Sequence, residues 1–178
     1  RLDIPDVILL EPGVHGDARG WFYESHNRRT FAAGTGVDVE FVQDNHSLST
    51  RNVLRGLAYQ LQRPQGRLAR VVRGAVYEVA VDLRRGSPHF GRWVGAELSA
   101  QNRRMLWVPP GFAAGFLTLS DEAEYFYKAT EYYAPELKRS LLWNDPEVGI
   151  EWPLHGAQPL VSARDAAGRL LREAATYP

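Results

Sequence analysis

The stretch from Phe41 to Val81 constrains the fold more than any other. Its second half reads V-L-R-G-L-A-Y-Q, a polar turn at Gln62-Arg63-Pro64-Gln65-Gly66, then R-L-A-R-V-V-R-G-A-V-Y-E-V-A-V. Leu68, Val71, Val76, Val79 and Val81 are apolar, while Arg67, Arg70, Arg73 and Glu78 are charged. Partial alternation among β-branched residues predicts strands on both sides of the turn. Charged side chains on a strand can line a cavity instead of facing water. Arg55, Arg67, Gln43 and Asn45 are therefore expected to form one polar floor inside a small β-barrel, suited to an anionic ligand.

The rest of the chain continues the pattern. Strands are expected over Ile4–Glu11, Trp21–Glu24, Phe41–Asp44, Val53–Gln60, Leu68–Arg73, Ala75–Leu83, Phe90–Leu98, Arg104–Val108, Phe112–Leu119 and Glu124–Tyr132. Turn residues separate them, among them Arg84-Arg85-Gly86-Ser87-Pro88 and Pro109-Pro110-Gly111. Asn27–Ala33 reads as a short helix with Asn27 as its N-cap. Many short strands at close spacing predict an all-β sandwich or barrel with little helix. No repeat, low-complexity tract or linker interrupts the 178 residues, so one domain is expected over 1–178. Residues 134–178 are richer in Pro, Asp and Glu and are expected to wrap the barrel, with a short helix near Ala166–Ala174.

Charge narrows the function classes. Lys plus Arg and Asp plus Glu both number 21, so no global basic field draws the chain to nucleic acid or a membrane. The absence of cysteine excludes disulfides, cysteine nucleophiles and thiolate metal sites. No apolar run approaches the roughly 18 residues that span a bilayer, and no signal-peptide pattern opens the chain. The cytoplasm is the default expectation. His15, His26, His46, His89 and His155 show no short metal-ligand spacing, and no metal is expected.

Several pieces can carry chemistry. Arg55, Arg67, Arg70 and Arg73 fall inside β segments, and a diphosphate is the natural partner of several guanidinium groups. The plain alternative is a row of solvated edge charges. By spacing, Asp17-Ala18-Arg19-Gly20 is a surface turn with one cation. Trp21, Phe22, Tyr23, Tyr125, Tyr127, Trp143 and Trp152 can stack a base or sugar ring, although strand aromatics are more often core.

Longer motifs point further. They include Asp17-Ala18-Arg19-Gly20-Trp21-Phe22-Tyr23-Glu24, Phe41-Val42-Gln43-Asp44-Asn45-His46-Ser47 and Val53-Leu54-Arg55-Gly56-Leu57. Pro109-Pro110-Gly111-Phe112-Ala113, Tyr127-Lys128, Trp143-Asn144-Asp145-Pro146 and Ser162-Ala163-Arg164-Asp165 follow in order. In these residues the chain resembles the dTDP-4-dehydrorhamnose 3,5-epimerase family over nearly its whole length. The resemblance implies a cupin-type jelly-roll β-barrel with short peripheral helices. It implies a homodimer that exchanges N-terminal strands, and no cofactor. The implied substrate is a dTDP-linked 4-keto-6-deoxyhexose.

The implied chemistry is proton abstraction beside the C4 ketone. It needs a base on one face, an acid on the other and a donor or cation at the ketone oxygen. By resemblance, Tyr127 is the acid and Asp165 the aspartate that orients the base. Arg67 stands where the family commonly has a lysine near the ketone oxygen. Arg19, Glu24, Gln43, Asn45, Arg55 and Arg67 fall on substrate-binding positions.

The chain departs from the family at the base. Ala58 follows Arg55-Gly56-Leu57 where the family has histidine, and Ala114 stands at a second family histidine. A methyl group accepts no proton, so epimerisation is expected to be impaired. His46 belongs to a different motif. Two readings stay open: an otherwise normal 3,5- or 3-epimerase in which both histidines are replaced, and a divergent barrel that binds a dTDP-sugar without epimerising it.

Overall fold

The computed structural model describes residues 2–178. Its strands are β1 (Ile8–Leu10), β2 (His15–Asp17), β3 (Gly20–Phe22), β4 (Gln43–Thr50), β5 (Val53–Gln60), β6 (Arg67–Arg73) and β7 (Ala75–Asp82). They continue as β8 (Trp93–Ser99), β9 (Met105–Val108), β10 (Phe112–Thr118), β11 (Glu122–Ala129), β12 (Lys138–Ser140) and β13 (Leu160–Val161). Helix is confined to α1 (Arg28–Thr35), α2 (Ala163–Ala166) and a 3₁₀ turn at Leu171–Glu173. None of it is long and apolar enough to cross a membrane.

Two sheets face each other as a jelly-roll barrel of the cupin type. One runs β1-β9-β6-β11-β4; the other runs β12-β5-β10-β7-β8, with β13 joining β5 in parallel. Their inner faces meet in a core that includes Ala69, Val71, Val76, Ala80, Leu98, Leu106, Phe116 and Tyr125.

The outer faces are covered differently. On the first sheet α1 lies over Leu68, Met105 and Trp107, with Phe31 edge-on to Trp107 at 5.5 Å. The Asn27 side chain caps this helix by accepting from the amides of Arg29 and Thr30. On the second sheet Leu141, Val148, Leu171 and Ala174 from the C-terminal segment cover Leu57, Val79 and Val81. Burial on both faces explains why Ala75–Val81 is almost continuously apolar.

Three expectations are corrected here. Glu78, grouped with the charged positions of an alternating strand, is fully buried. The strand expected over Phe41–Asp44 begins at Gln43 and runs to Thr50, because pairing with β11 sustains a polar sequence as strand. The helix expected near Ala166–Ala174 is two short pieces, α2 earlier and the 3₁₀ turn later.

Candidate active site

A one-residue irregularity in β5 builds the floor of the site. Ala114 is opposite Ala58, but Phe116 is opposite Arg55, so β5 has one residue more than β10 between these pairs. In a regular strand, residues 55 and 58 would face opposite sides. The extra residue lets both line the same cavity. Gly56 permits it: its φ is +108°, and a Cβ there would sit 2.7 Å from the Ala114 carbonyl oxygen.

The same irregularity holds a carboxylate. β13 runs beside Val53 and Leu54 and delivers the chain to α2. The hydroxyl of Ser162 accepts from the Asp165 amide at 3.1 Å. Asp165 Oδ2 then accepts the Gly56 N–H at 3.2 Å, with Asp165 only 8% exposed. The carboxylate borders the cavity beside Ala58 and Ala114.

The opposite wall comes from the first sheet. On β11, Tyr125 and Tyr127 face inward, and Asn45 is the cross-strand neighbour of Tyr127. The guanidinium of Arg67 lies over the Tyr127 ring at 5.4 Å. Gln43 Nε2 donates to Asn45 Oδ1 at 3.0 Å, and Gln43 Oε1 accepts the Tyr133 amide at 2.9 Å. Arg55 Nε donates to Ser49 Oγ at 2.9 Å, and its Nη2 donates to the Leu48 carbonyl at 3.2 Å. These bonds aim a cation into a cavity of about 630 Å³, within the usual range for small-molecule sites.

Seven candidate positions therefore meet at one cavity: Asn45, Arg55, Ala58, Arg67, Ala114, Tyr127 and Asp165. Gln43 braces it from behind Asn45. Arg19 and Glu24 do not reach it. Arg19 pairs with Asp17 on the exposed β2–β3 hairpin, and Glu24 borders a second cavity, with His26 and Phe31, outside the first sheet.

Other candidates are redirected. Arg70 faces outward, donating to the Tyr23 hydroxyl at 3.2 Å and lying over Phe126. Arg73 pairs with Glu122 and Glu124. His46 contacts Glu124 at 3.1 Å on that outer face. Trp152 donates from its ring to the Trp143 carbonyl, so both belong to the C-terminal segment. Among the described residues no three His, Cys, Asp or Glu side chains group closely enough to hold a metal ion.

Sequence reasoning missed Glu78. The Tyr125 hydroxyl donates to Glu78 Oε1 at 2.7 Å, and Oε2 has no partner. Burial pushes the Glu78 carboxyl up to about 8 and the Tyr125 phenol up as well. The available signal was one carboxylate inside V-Y-E-V-A-V, where a solvated strand face would carry more.

A cupin-type barrel whose mouth combines arginines, a tyrosine and a buried carboxylate is an enzyme-class small-molecule barrel, and comparison with known proteins narrows the class. Residues 1–173 match the family described as dTDP-4-dehydrorhamnose 3,5-epimerase, and the chain belongs to that family. A dTDP-4-dehydrorhamnose 3,5-epimerase of Pseudomonas aeruginosa is 56% identical over 178 residues, covering 100% of this chain and 98% of the relative. The crystal structure of a Legionella pneumophila dTDP-6-deoxy-D-glucose-3,5-epimerase in complex with dTDP-4-keto-L-rhamnose aligns with a TM-score of 0.94 at 47% identity. It covers 97% of this chain and 92% of that one. A 3'-monoepimerase from Streptomyces bikiniensis in complex with dTDP-quinovose aligns with a TM-score of 0.89 at 35% identity, over 96% and 86% of the two chains.

Proposed function

We propose that the chain, as a single 1–178 domain, is a dTDP-4-keto-6-deoxyhexose 3,5- or 3-epimerase scaffold whose base is missing. The observation that carries this reading is the convergence of Arg67, Tyr127, Asp165, Ala58 and Ala114 on one cavity. Removing the proton at C3 or C5 leaves an enolate whose charge grows on the C4 oxygen. Arg67 is the cation for that oxygen, and Tyr127 is the acid that returns a proton. Asn45 and Arg55 hold the nucleotide sugar, with Gln43 behind them. Asp165 orients a base that position 58 does not supply.

Arg19 and Glu24 fit this reading if two chains associate. The β2–β3 hairpin pairs only with itself among the described strands, and it carries Trp21 and Phe22 at 59% and 70% exposure. A homodimer that buries this hairpin would bring both residues to the partner's cavity.

Proton exchange at C3 or C5 of the sugar in heavy water, followed by NMR, tests the proposal. Exchange by the chain as it stands should be slow, and Ala58→His should raise it by about 10²–10⁴-fold, the usual contribution of a positioned base. Equal exchange by both forms would place the base elsewhere. The second reading, a barrel that binds without epimerising, rests on the methyl groups at Ala58 and Ala114. It gains if neither form exchanges while both bind the sugar.

A further inference from the structure

The cavity carries more positive charge than a diphosphate neutralises. Arg55, Arg67, Lys138 and Arg164 line it, and Asp165 is the one carboxylate among the described lining residues. None of the four cations makes an ion pair within 4.0 Å among the described residues. They stand in two groups. β13 runs beside Val53 and Leu54, which puts Arg164 at the Arg55 end of β5. Lys138 is the cross-strand partner of Gln60 at the other end of β5. Ser140 is the partner of Ala58, so alternation along β12 turns Lys138 to the same side as Ala58. Arg67 joins that end through Gln65, whose Oε1 lies 3.5 Å from Arg67 Nη2. From Arg55 to Gln60 is roughly 15 Å of strand. A diphosphate held at Arg55 and Arg164 therefore leaves Lys138 and Arg67 for a second anionic group, carried on the sugar.

We propose that this cavity takes a nucleotide-linked 4-keto-hexuronic acid and decarboxylates it. Two observations select the chemistry: the spare cations at the Lys138 end, and a methyl group in place of a base at position 58. The C6 carboxyl of such a sugar is β to the C4 ketone. Loss of carbon dioxide therefore reaches the same kind of enolate as proton abstraction at C5, and it needs no proton acceptor. Lys138 holds the carboxylate from the second sheet, while Arg67 and Tyr127 face the ketone from the first. A neutral 6-deoxy sugar makes no use of the Lys138 ammonium.

This inference rests on the reading of Arg67 as the cation at the ketone oxygen and of Tyr127 as the acid. The C5–C6 bond breaks, and its electron pair becomes the C4–C5 double bond of the enolate. The carboxylate's charge passes to the C4 oxygen, where Arg67 meets it. C6 leaves as carbon dioxide. Tyr127 gives its proton to C5 and is reprotonated by solvent, which leaves a nucleotide-linked 4-keto-pentose. One proton is taken up for each carbon dioxide released, and no oxidant or second substrate enters.

Two measurements on the whole chain test this. Calorimetry compares dTDP-glucuronic acid with dTDP-glucose. The acid should bind at least about tenfold tighter, the worth of one hydrogen bond to a charged group. Lys138→Ala should remove that preference while still binding dTDP, which shows that it folds. Equal binding of the two sugars to the unaltered chain overturns the carboxylate subsite. NMR then follows dTDP-4-keto-glucuronic acid labelled with carbon-13 at C6. Labelled carbon dioxide should appear at least about 10²-fold faster than its spontaneous loss in buffer, with a deuteron placed at C5 in heavy water. Arg67→Met, still binding dTDP, should fall back toward the spontaneous rate, since a donor at a developing oxyanion is worth about 10²–10³-fold. Ala58→His should not speed the release, because no base takes part. Release at the buffer rate overturns the proposal, and the epimerase reading stands if Ala58→His still exchanges the C3 or C5 proton of the neutral 4-keto-6-deoxyhexose. Release as fast in Arg67→Met overturns both, because both place Arg67 at the ketone oxygen.

Discussion

Inside the barrel the Tyr125 hydroxyl donates to Glu78 Oε1 at 2.7 Å, joining β11 of one sheet to β7 of the other beneath the cavity. The carboxyl is fully buried and leaves Oε2 without a partner. Tyr125 also stacks on Phe116 and lies 5.8 Å from Tyr127, so this bond helps fix the aromatic wall of the site.

Glu78 makes stability depend on pH. Burial raises its carboxyl from 4.5 to about 8 in the folded state. Between those values the folded protein binds more protons than the unfolded chain, so stability falls as pH rises through that window. The contribution is fully present below the unfolded value and lost above about 8. Glu78→Gln keeps an acceptor for Tyr125 and cannot ionise. It should match the parent at pH 5 and exceed it by about 2–4 kcal/mol at pH 9. Urea unfolding at both pH values checks this; equal midpoints at pH 9 would mean that Glu78 is not strained by ionisation.

Arg55 should dominate recognition of the diphosphate. Ser49 and the Leu48 carbonyl hold two of its nitrogens and aim the remaining donor inward. The chain should bind dTDP at micromolar affinity, on the order of −8 kcal/mol, and Arg55→Ala should weaken that binding by about 1.5–3 kcal/mol, the range for hydrogen bonds to charged groups. Calorimetry decides, and undetectable binding to the unaltered chain would remove the basis of the reading.

Asp165 should matter only when a ring is present for it to orient. In an Ala58→His background, Asp165→Asn should lower deuterium exchange by at least about tenfold, because the amide favours the wrong tautomer of the imidazole. In the chain as it stands, the same change should leave the slow exchange almost unaltered. A double-mutant cycle measures the coupling, and additive effects would show that Asp165 does not act through position 58.

Gln60 is the brace of the cavity rim. Its Nε2 donates to the carbonyls of Arg63 and Tyr132 at 2.7 and 3.1 Å, and its Oε1 accepts the Ala134 amide at 2.8 Å. Gln65 and Tyr133, which border the cavity, lie in the two segments thus tied together. Gln60→Leu should cost about 2–4 kcal/mol of stability through unsatisfied buried groups. It should also weaken dTDP binding by about 0.5–1 kcal/mol, the cost of ordering a freed side chain or loop. Wild-type melting together with unchanged affinity would contradict this role.

Much of the barrel was legible in the residues. Val53–Gln60 appears as a strand with the expected ends, and Asn27 caps the helix that follows it. The local signals there are strong: β-branched density for one, a side-chain oxygen before the first turn for the other. Arg67 and Arg70 show where such reading stops. Both are arginines on β6, yet only Arg67 enters the cavity, and Arg70 faces out toward Tyr23. Which face of a strand is interior depends on the sheet packed against it, and that partner lies far away in sequence.

The sequence by itself determined that this chain would be β-rich, that position 58 would lack a proton acceptor, and that its ordered motifs would resemble one epimerase family. These follow from side-chain chemistry and local order, which need no neighbours. The tertiary structure decided the rest. It turned Arg55 and Ala58 to the same side through the extra residue at Gly56, and it brought Asp165 across 109 residues to accept the Gly56 amide. It also buried Glu78 under Tyr125 and left Arg19 and Glu24 outside the cavity of their own chain. Each outcome rests on which strands pair and in what register. That choice is made by burial summed over two whole sheets, which no short stretch of sequence contains.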